Sequence, residues 1–369
     1  MKQIYFFIGT TAEFIKLAPV LRRLKEKRQS YKIVTSGQNT LLFDELERIT
    51  GKQAVYYEFQ IKPPSKTLHP YMQFGIWMFK AVVNYLLFFF REFNGKDRKQ
   101  IYFIVHGDTI SACLGAVIAK LLRVKVVHIE SGLRSFKLSE PFPEELCRIV
   151  ISFLADIHFA PNDWALNNLA RQSGTKISTG NNTLIESLNQ AKRFLSKSRL
   201  PAKLKKKKYF VLVLHRQEHM LFKQELTKKL IRLFSDFASK EVLCVIILHK
   251  LTEKFLIKHN MLNKLKKNKH VILLPRLPYL DFVNLLNYSE FIATDGGSNQ
   301  EEAYFLGKPC VILRDVTERI EGLGENAILS KESIDKVSEF IKDYSKYRRQ
   351  SIRYNDAPSE KIVEYMLQN

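Results

Sequence analysis

The stretch FIATDGGSNQEEAYFLGKP, Phe291 to Pro309, carries the residue types that can bind an anion. Its apolar start stops on Asp295, and Gly296, Gly297 and Ser298 follow. NQEEAYFL then reads as a helix closed by Gly307 and Pro309. A strand, a small polar turn and a helix N-terminus present backbone N–H groups and the positive end of a helix dipole to a phosphate. Glu301 and Glu302 are expected in the first turn of that helix, where carboxylates also suit the dipole. Taken alone, the turn is either an anion cradle or a plain helix cap.

Such motifs need elements to hold them. QIYFFIG, YKIVTSG, IYFIVHGD, VKVVHIE and DIHFAPN read as strands, with helical periodicity in EFIKLAPVLRRLKEK and SACLGAVIAKLL. The pattern restarts with YFVLVLH, KKLIRLFSDFAS, EVLCVIILH, VILLP, DFVNLLNY, EFIATD and CVILRD. Continuous apolar strands separated by helices predict parallel sheets covered on both faces. The fold class is therefore α/β, with two Rossmann-like, doubly wound domains. The first is expected over 1–195 and the second over 209–369, joined near 196–208. Helices from Lys331 onward can cross back to the first domain. Ligands of such folds bind at the carboxyl ends of strands, here in an interdomain cleft. GTTAE, TSGQ, HGDT, HIESGLR, LHRQE and TDGGSNQEE all sit at such ends.

The bulk composition narrows the classes. The chain has 369 residues, long enough for two cores, and 46% of them are hydrophobic. Cys113, Cys147, Cys244 and Cys310 are scattered without paired spacing, which argues against a disulfide frame or a zinc site. The N-terminal apolar run is short and leads into Gly9, so it reads as a first strand of a cytoplasmic protein. A net charge of +22 suits nucleic acid, an anionic membrane or an anionic small substrate. No basic run is interleaved with aromatics, so no nucleic-acid partner is expected. The densest run, Lys203 to Lys208, reads as a solvated linker ahead of YFVLVLH.

With these motifs in place, the chain resembles the non-hydrolysing UDP-N-acetylglucosamine 2-epimerases. The similarity runs from Gly9 to about Leu329 through HGDT (106–109), HIESGLRS (128–135), PFPEE (141–145), LADIHFAPN, TGNNTLIE, HRQE and TDGGSNQEEAYFLGKPCVILRDVTERIEG. The resemblance implies a GT-B-like fold and inversion at C2 of a UDP-sugar, with no nicotinamide cofactor and no metal. It implies that Asp108, Glu130, Glu144 and His215 are catalytic, the histidine lying close to the leaving diphosphate. It also implies that Lys16, Arg134, Arg148, Arg216, Phe282, Gly296, Gly297, Ser298, Glu302 and Arg319 bind substrate. In that scheme the glycine turn cradles the diphosphate, Glu302 holds the ribose and Phe282 stacks on the uracil. Three carboxylates at one site would repel, so at least one raised carboxyl pKa is expected. A homodimer is expected.

Each assignment has a plainer counterpart. Asp108 could cap a helix, Glu130 and Arg134 could form a local ion pair, and Glu144 with Glu145 could simply start a helix after Pro143. His215 could be a core histidine, Lys16 an exposed helix lysine and Phe282 a core residue. His106 and His128 read as structural. The chain also departs from the family. GTTAE has Thr11 in place of the arginine of GTRPE, and Cys147 replaces an asparagine before Arg148. LHRQEH stands for GHRREN, and the small residues of SGG are permuted. These changes leave room for another nucleotide sugar, or for a membrane-associated glycosyltransferase with a lipid-linked acceptor. The aromatic segment Phe74–Phe93 bears on that choice. It reads either as a buried or interface helix or as one lying on an anionic membrane, and its uninterrupted part is too short to span.

Overall fold

The computed structural model describes residues 2–36, 55–58, 70–352 and 357–368. The chain forms two compact units. One is Met1–Arg134 with Phe142–Ser187 and Asp356–Asn369; the other is Ser135–Pro141 with Leu188–Asn355.

The first unit runs β1 (Gln3–Ile8), α1 (Thr11–Glu26), β2 (Tyr31–Thr35), β3 (Val55–Glu58), α2 (Pro70–Glu92), β4 (Ile101–His106), α3 (Ile110–Leu121), β5 (Lys125–Ile129), α4 (Glu144–Leu154), β6 (Ile157–Ala160), α5 (Asp163–Asn168) and β7 (Thr175–Ser178). Its sheet is parallel throughout, in the order β3-β2-β1-β4-β5-β6-β7. The central strands β1 and β4 are apolar and almost wholly buried, as a sheet covered on both faces requires. The division between the units falls inside α6 (Leu184–Lys192).

The second unit runs β8 (Lys208–Val213), α7 (Gln224–Phe237), β9 (Val242–Leu248), α8 (Lys250–Lys258), α9 (Leu262–Lys267), β10 (Val271–Pro275), α10 (Tyr279–Tyr288), β11 (Ile292–Thr294), α11 (Gly297–Leu306), β12 (Cys310–Ile312), β13 (Ala327–Leu329) and α12 (Ile334–Lys342). Its parallel sheet has the order β10-β9-β8-β11-β12-β13. The last helix, α13 (Pro358–Gln368), belongs to the first unit. There Lys2 Nζ donates to Met366 O at 2.9 Å, and Ser359 N donates to Glu186 at 2.8 Å.

The stretch 196–208 is not the free solvated linker the lysine run suggests. Ser196 N donates to Asn284 Oδ1 at 2.8 Å, Arg199 pairs with Asp281 at 2.6 Å, and Leu204 is buried. These contacts hold the segment on the second unit, while the lysines themselves point outward.

The aromatic segment divides by face. Ala81, Tyr85, Phe89 and Phe93 recur every four residues and are buried on the first sheet. Phe89 meets Phe103 edge-on at 5.0 Å, and Tyr85 Oη donates to Thr35 O at 2.6 Å. On the outer side Phe79 is 70% and Phe90 60% exposed, with Leu87 between them also exposed. No described helix is long and apolar enough to cross a membrane. Because Phe89 fills the centre of this packing, Phe89→Ala should destabilise the first unit by about 3–5 kcal/mol. Urea titration checks this, and a loss below about 1 kcal/mol would show that the helix is not anchored there.

Candidate functional site

Each sheet reverses its strand order at one point, between β1 and β4 in the first and between β8 and β11 in the second. Loops leaving such a point diverge to opposite faces and leave room for a ligand. At both points a buried carboxylate ties the two loops together.

In the first unit that carboxylate is Glu13, 3% exposed. Thr10 caps α1 and Glu13 reaches back in a capping box. Glu13 Oε2 accepts from Gly9 N at 2.8 Å and Thr10 N at 2.6 Å, and Oε1 accepts from Thr109 Oγ1 at 2.6 Å. Thr109 caps α3, so Glu13 clips GTTAE to HGDT. Burial pushes its pKa up to about 7, against the pull of those donors.

Beside this clip lies a network of paired charges. Glu130 takes Lys16 Nζ at 2.5 Å and also accepts from Asn182 Nδ2; His106 Nδ1 is 3.8 Å away. Glu130 has φ 66°, a left-handed conformation that costs a non-glycine residue and recurs at functional sites. Gly107, also left-handed, lies so close that a Cβ there would sit 3.0 Å from Glu130 Oε2. Asp108 accepts from Arg148 Nη2. Arg148 Nη1 reaches Glu145 at 2.9 Å, and Glu145 pairs with Arg134 at 2.6 Å. Glu144 is half-buried in the first turn of α4. His128 gives a ring nitrogen to Gly107 O at 2.8 Å, and burial lowers its pKa to about 3.

Lys16 is therefore a buried partner of Glu130, not an exposed helix lysine. Arg134 pairs with Glu145 at 2.6 Å. The repulsion expected among the acids is offset, because Glu130 and Asp108 each face a cation. Among these loops Glu13 is a carboxyl whose pKa burial raises.

In the second unit α11 begins at Gly297, two residues earlier than the sequence reading placed it. Glu301 and Glu302 consequently lie beyond its first turn and do not neutralise the dipole there. No side chain caps this helix. Asp295, one residue before the N-cap Gly296, points to the His215 loop. It accepts the backbone N–H groups of His215 and Arg216, both at 2.9 Å, and lies 2.9 Å from His215 Nδ1. The N-cap is Gly296, whose own N–H donates to Thr294 Oγ1 at 2.9 Å. Gly296 and Gly297 are closely packed: a Cβ would sit 2.9 Å from His215 Cε1 at the first and 2.5 Å from Glu318 Oε1 at the second.

The other predicted residues gather around this turn or its flanks. Arg319 is buried with Nη1 2.7 Å from Glu301, so its charge is already met within the protein. Glu302 is buried and accepts from Asn299 Nδ2 at 2.9 Å. Ser298 is half-buried in the first turn, Arg216 is half-buried with Nε 3.5 Å from Glu218, and Phe282 is half-buried on α10. Glu13, Glu145, Asn182 and Asp295 were not among the predicted site residues. Only Glu13 had a visible signal, the Thr-x-x-Glu capping box.

Two doubly wound parallel sheets, each with polar loops clipped at its switch point, define a GT-B-like nucleotide-sugar fold. The family model for UDP-N-acetylglucosamine 2-epimerase matches residues 22–367, and the chain belongs to that family. It is 31% identical over 373 residues to UDP-N-acetylglucosamine 2-epimerase of Bacillus subtilis, covering 97% of this chain and 93% of the relative. It is 30% identical over 373 residues to the enzyme of that name from Methanococcus maripaludis, covering 98% and 97%. Among solved structures, UDP-GlcNAc 2-epimerase of Methanocaldococcus jannaschii in complex with UDP-GlcNAc and UDP matches with a TM-score of 0.82 at 25% identity, over 100% of both chains. The Neisseria meningitidis enzyme bound to UDP-GlcNAc matches with a TM-score of 0.79 at 27% identity, again over 100% of both.

Glu13 makes a pH prediction. Its folded pKa, about 7, lies above its unfolded value, so its contribution to stability is full below about 4.5 and is lost as pH rises through 7. The loss attributable to this group is at most about 3 kcal/mol. Urea unfolding at pH 5 and pH 7 should show a smaller fall for Glu13→Gln than for the native protein. Equal falls would contradict the assignment.

Proposed function

We propose that this chain interconverts UDP-N-acetylglucosamine and UDP-N-acetylmannosamine in the cytoplasm, for surface polysaccharide. The observation that carries the reading is the network of paired charges, Asp108–Arg148–Glu145 and Lys16–Glu130, in a chain of this family. A carboxylate removes the C2 proton, the C1–O bond breaks and UDP leaves with the bonding electrons. UDP then adds back to the glycal, and a proton returns to C2 on the other face. Asp108, Glu130 and Glu144 supply the acid–base groups. The Gly296–Ser298 turn holds the diphosphate, where N–H groups and the dipole favour its charge. Glu302 accepts from the ribose, Phe282 stacks on the base, and His215 stands by the leaving oxygen. Lys16, Arg134, Arg148, Arg216 and Arg319 set the field for the departing anion. Lys16, Arg148 and Arg319 also orient Glu130, Asp108 and Glu301. The glycosyltransferase alternative finds no support among the relatives, which are named as epimerases.

The exposed stripe Phe79, Leu87 and Phe90 on α2 supports a homodimer, because an apolar face of this kind is buried more stably against a second copy than in water. Double substitution of Phe79 and Phe90 by Ser should shift sedimentation velocity toward the monomer. An unchanged dimer, or a native monomer that binds anionic vesicles at low salt, would favour the peripheral membrane reading instead.

Incubation with UDP-N-acetylglucosamine and no acceptor should yield a second UDP-N-acetylhexosamine by chromatography. Glu144→Gln should lower its rate on the order of 10²–10⁴-fold with the fold retained. Glu302→Ala should weaken UDP binding by about tenfold in calorimetry. No second product from the native protein would remove the epimerase reading, and unchanged UDP affinity would remove Glu302 from the ribose.

A further inference from the structure

No part of Asp295 reaches solvent, yet it sits directly behind His215, whose side chain is 34% exposed. Its carboxylate holds the His215 loop through two backbone N–H groups, and Oδ1 lies 2.9 Å from the ring's Nδ1. The ring is fenced on two more sides. His249 stacks on its face, centroids 4.8 Å apart at 27°, and Cε1 borders Gly296 too closely for a Cβ. Nε2 is then the ring nitrogen turned away from these supports. His249 does not compete for the proton, because burial, then the nearby His215 and Arg276, lower its pKa to about 4.

We propose that Asp295 is a positioning residue for the reaction, keeping a proton on Nδ1 of His215 and aiming Nε2 at the leaving diphosphate oxygen. A carboxylate at Nδ1 fixes the tautomer and orientation of an imidazole. As the diphosphate arrives, Nε2 takes up a second proton from solvent, which the carboxylate at Nδ1 and the anion at Nε2 both stabilise. When the C1–O bond breaks, its electron pair goes to UDP and the Nε2 proton is shared with or given to that oxygen. On re-addition the proton returns to Nε2. Asp295 itself exchanges no proton. The inference rests on the reading of His215 under Proposed function.

Two measurements test it. In native protein labelled with 15N-histidine, long-range 1H–15N spectra at neutral pH should show His215 protonated on Nδ1, assigned by the signal lost in His215→Asn. An unprotonated Nδ1 overturns the proposal whatever the protein turns over. Asp295→Asn, which keeps an acceptor oxygen for the loop, should lower kcat on the order of 10²-fold. KM and UDP affinity should stay within about threefold, and adding His215→Asn should cost little more, because the pair acts as a unit. Additive losses, or a loss that tracks UDP affinity and melting temperature, overturn it. Absence of native turnover would sink the epimerase reading instead, and the spectrum would still decide the role of Asp295.

Discussion

The two loops at a sheet's switch point end in backbone N–H groups that leave the ladder and still need acceptors. In this chain one buried carboxylate per sheet accepts them. Glu13 takes the N–H groups of Gly9 and Thr10 and the hydroxyl of Thr109; Asp295 takes those of His215 and Arg216. The charges then part ways for a physical reason. Glu13 is surrounded by neutral donors, so burial dominates and its proton is held more tightly. Asp295 is as buried but has His215 and His219 nearby, and these hold its pKa well below the ordinary carboxylate range. The same structural job therefore yields a carboxyl that titrates near neutrality in one unit and a fixed anion in the other.

The groups proposed to act on substrate hang from these two clips. Thr109 follows Asp108, so fixing one orients the other and, through it, Arg148 and Glu145. Buried ion pairs are costly to desolvate and contribute little net stability. The chain Asp108–Arg148–Glu145–Arg134 and the pair Lys16–Glu130 are thus better explained by placement of charge than by folding. The left-handed backbone at Glu130 fits the same account, since strain at that position is compensated by the contacts of its side chain. On the other sheet α11 starts at the N-cap Gly296 without a side-chain cap, and Asp295 serves the His215 loop.

Much of the fold was legible because central parallel strands are continuous apolar runs. The strands that escaped reading, VYYE, TKIS and AIL, are β3, β7 and β13, which lie at sheet edges. An edge strand needs fewer apolar residues and is short here, so it leaves little pattern. The start of α11 has a weak signature, because Gly297 and Ser298 are poor helix formers and suit a turn. Asp108, Glu130 and His215 stand out through the family resemblance, and the structure sets Asp108 against Arg148, Glu130 against Lys16 and His215 beside Asp295. The site was not legible where the job depends on which backbone a carboxylate meets: nothing local ties Asp295 to the His215 loop 80 positions away, and Glu145 looks interchangeable with Glu144. The partner of Lys16, 114 positions away, has no local signature at all.

The central claim is that C2 loses and regains its proton while UDP departs and returns. Turnover of UDP-N-acetylglucosamine in D2O, followed by proton NMR, tests this most directly. The account predicts one deuterium at C2 in the epimerised product, and in recovered substrate as equilibrium is approached, with no acceptor present. An epimerised product that keeps its original C2 proton in D2O would contradict it.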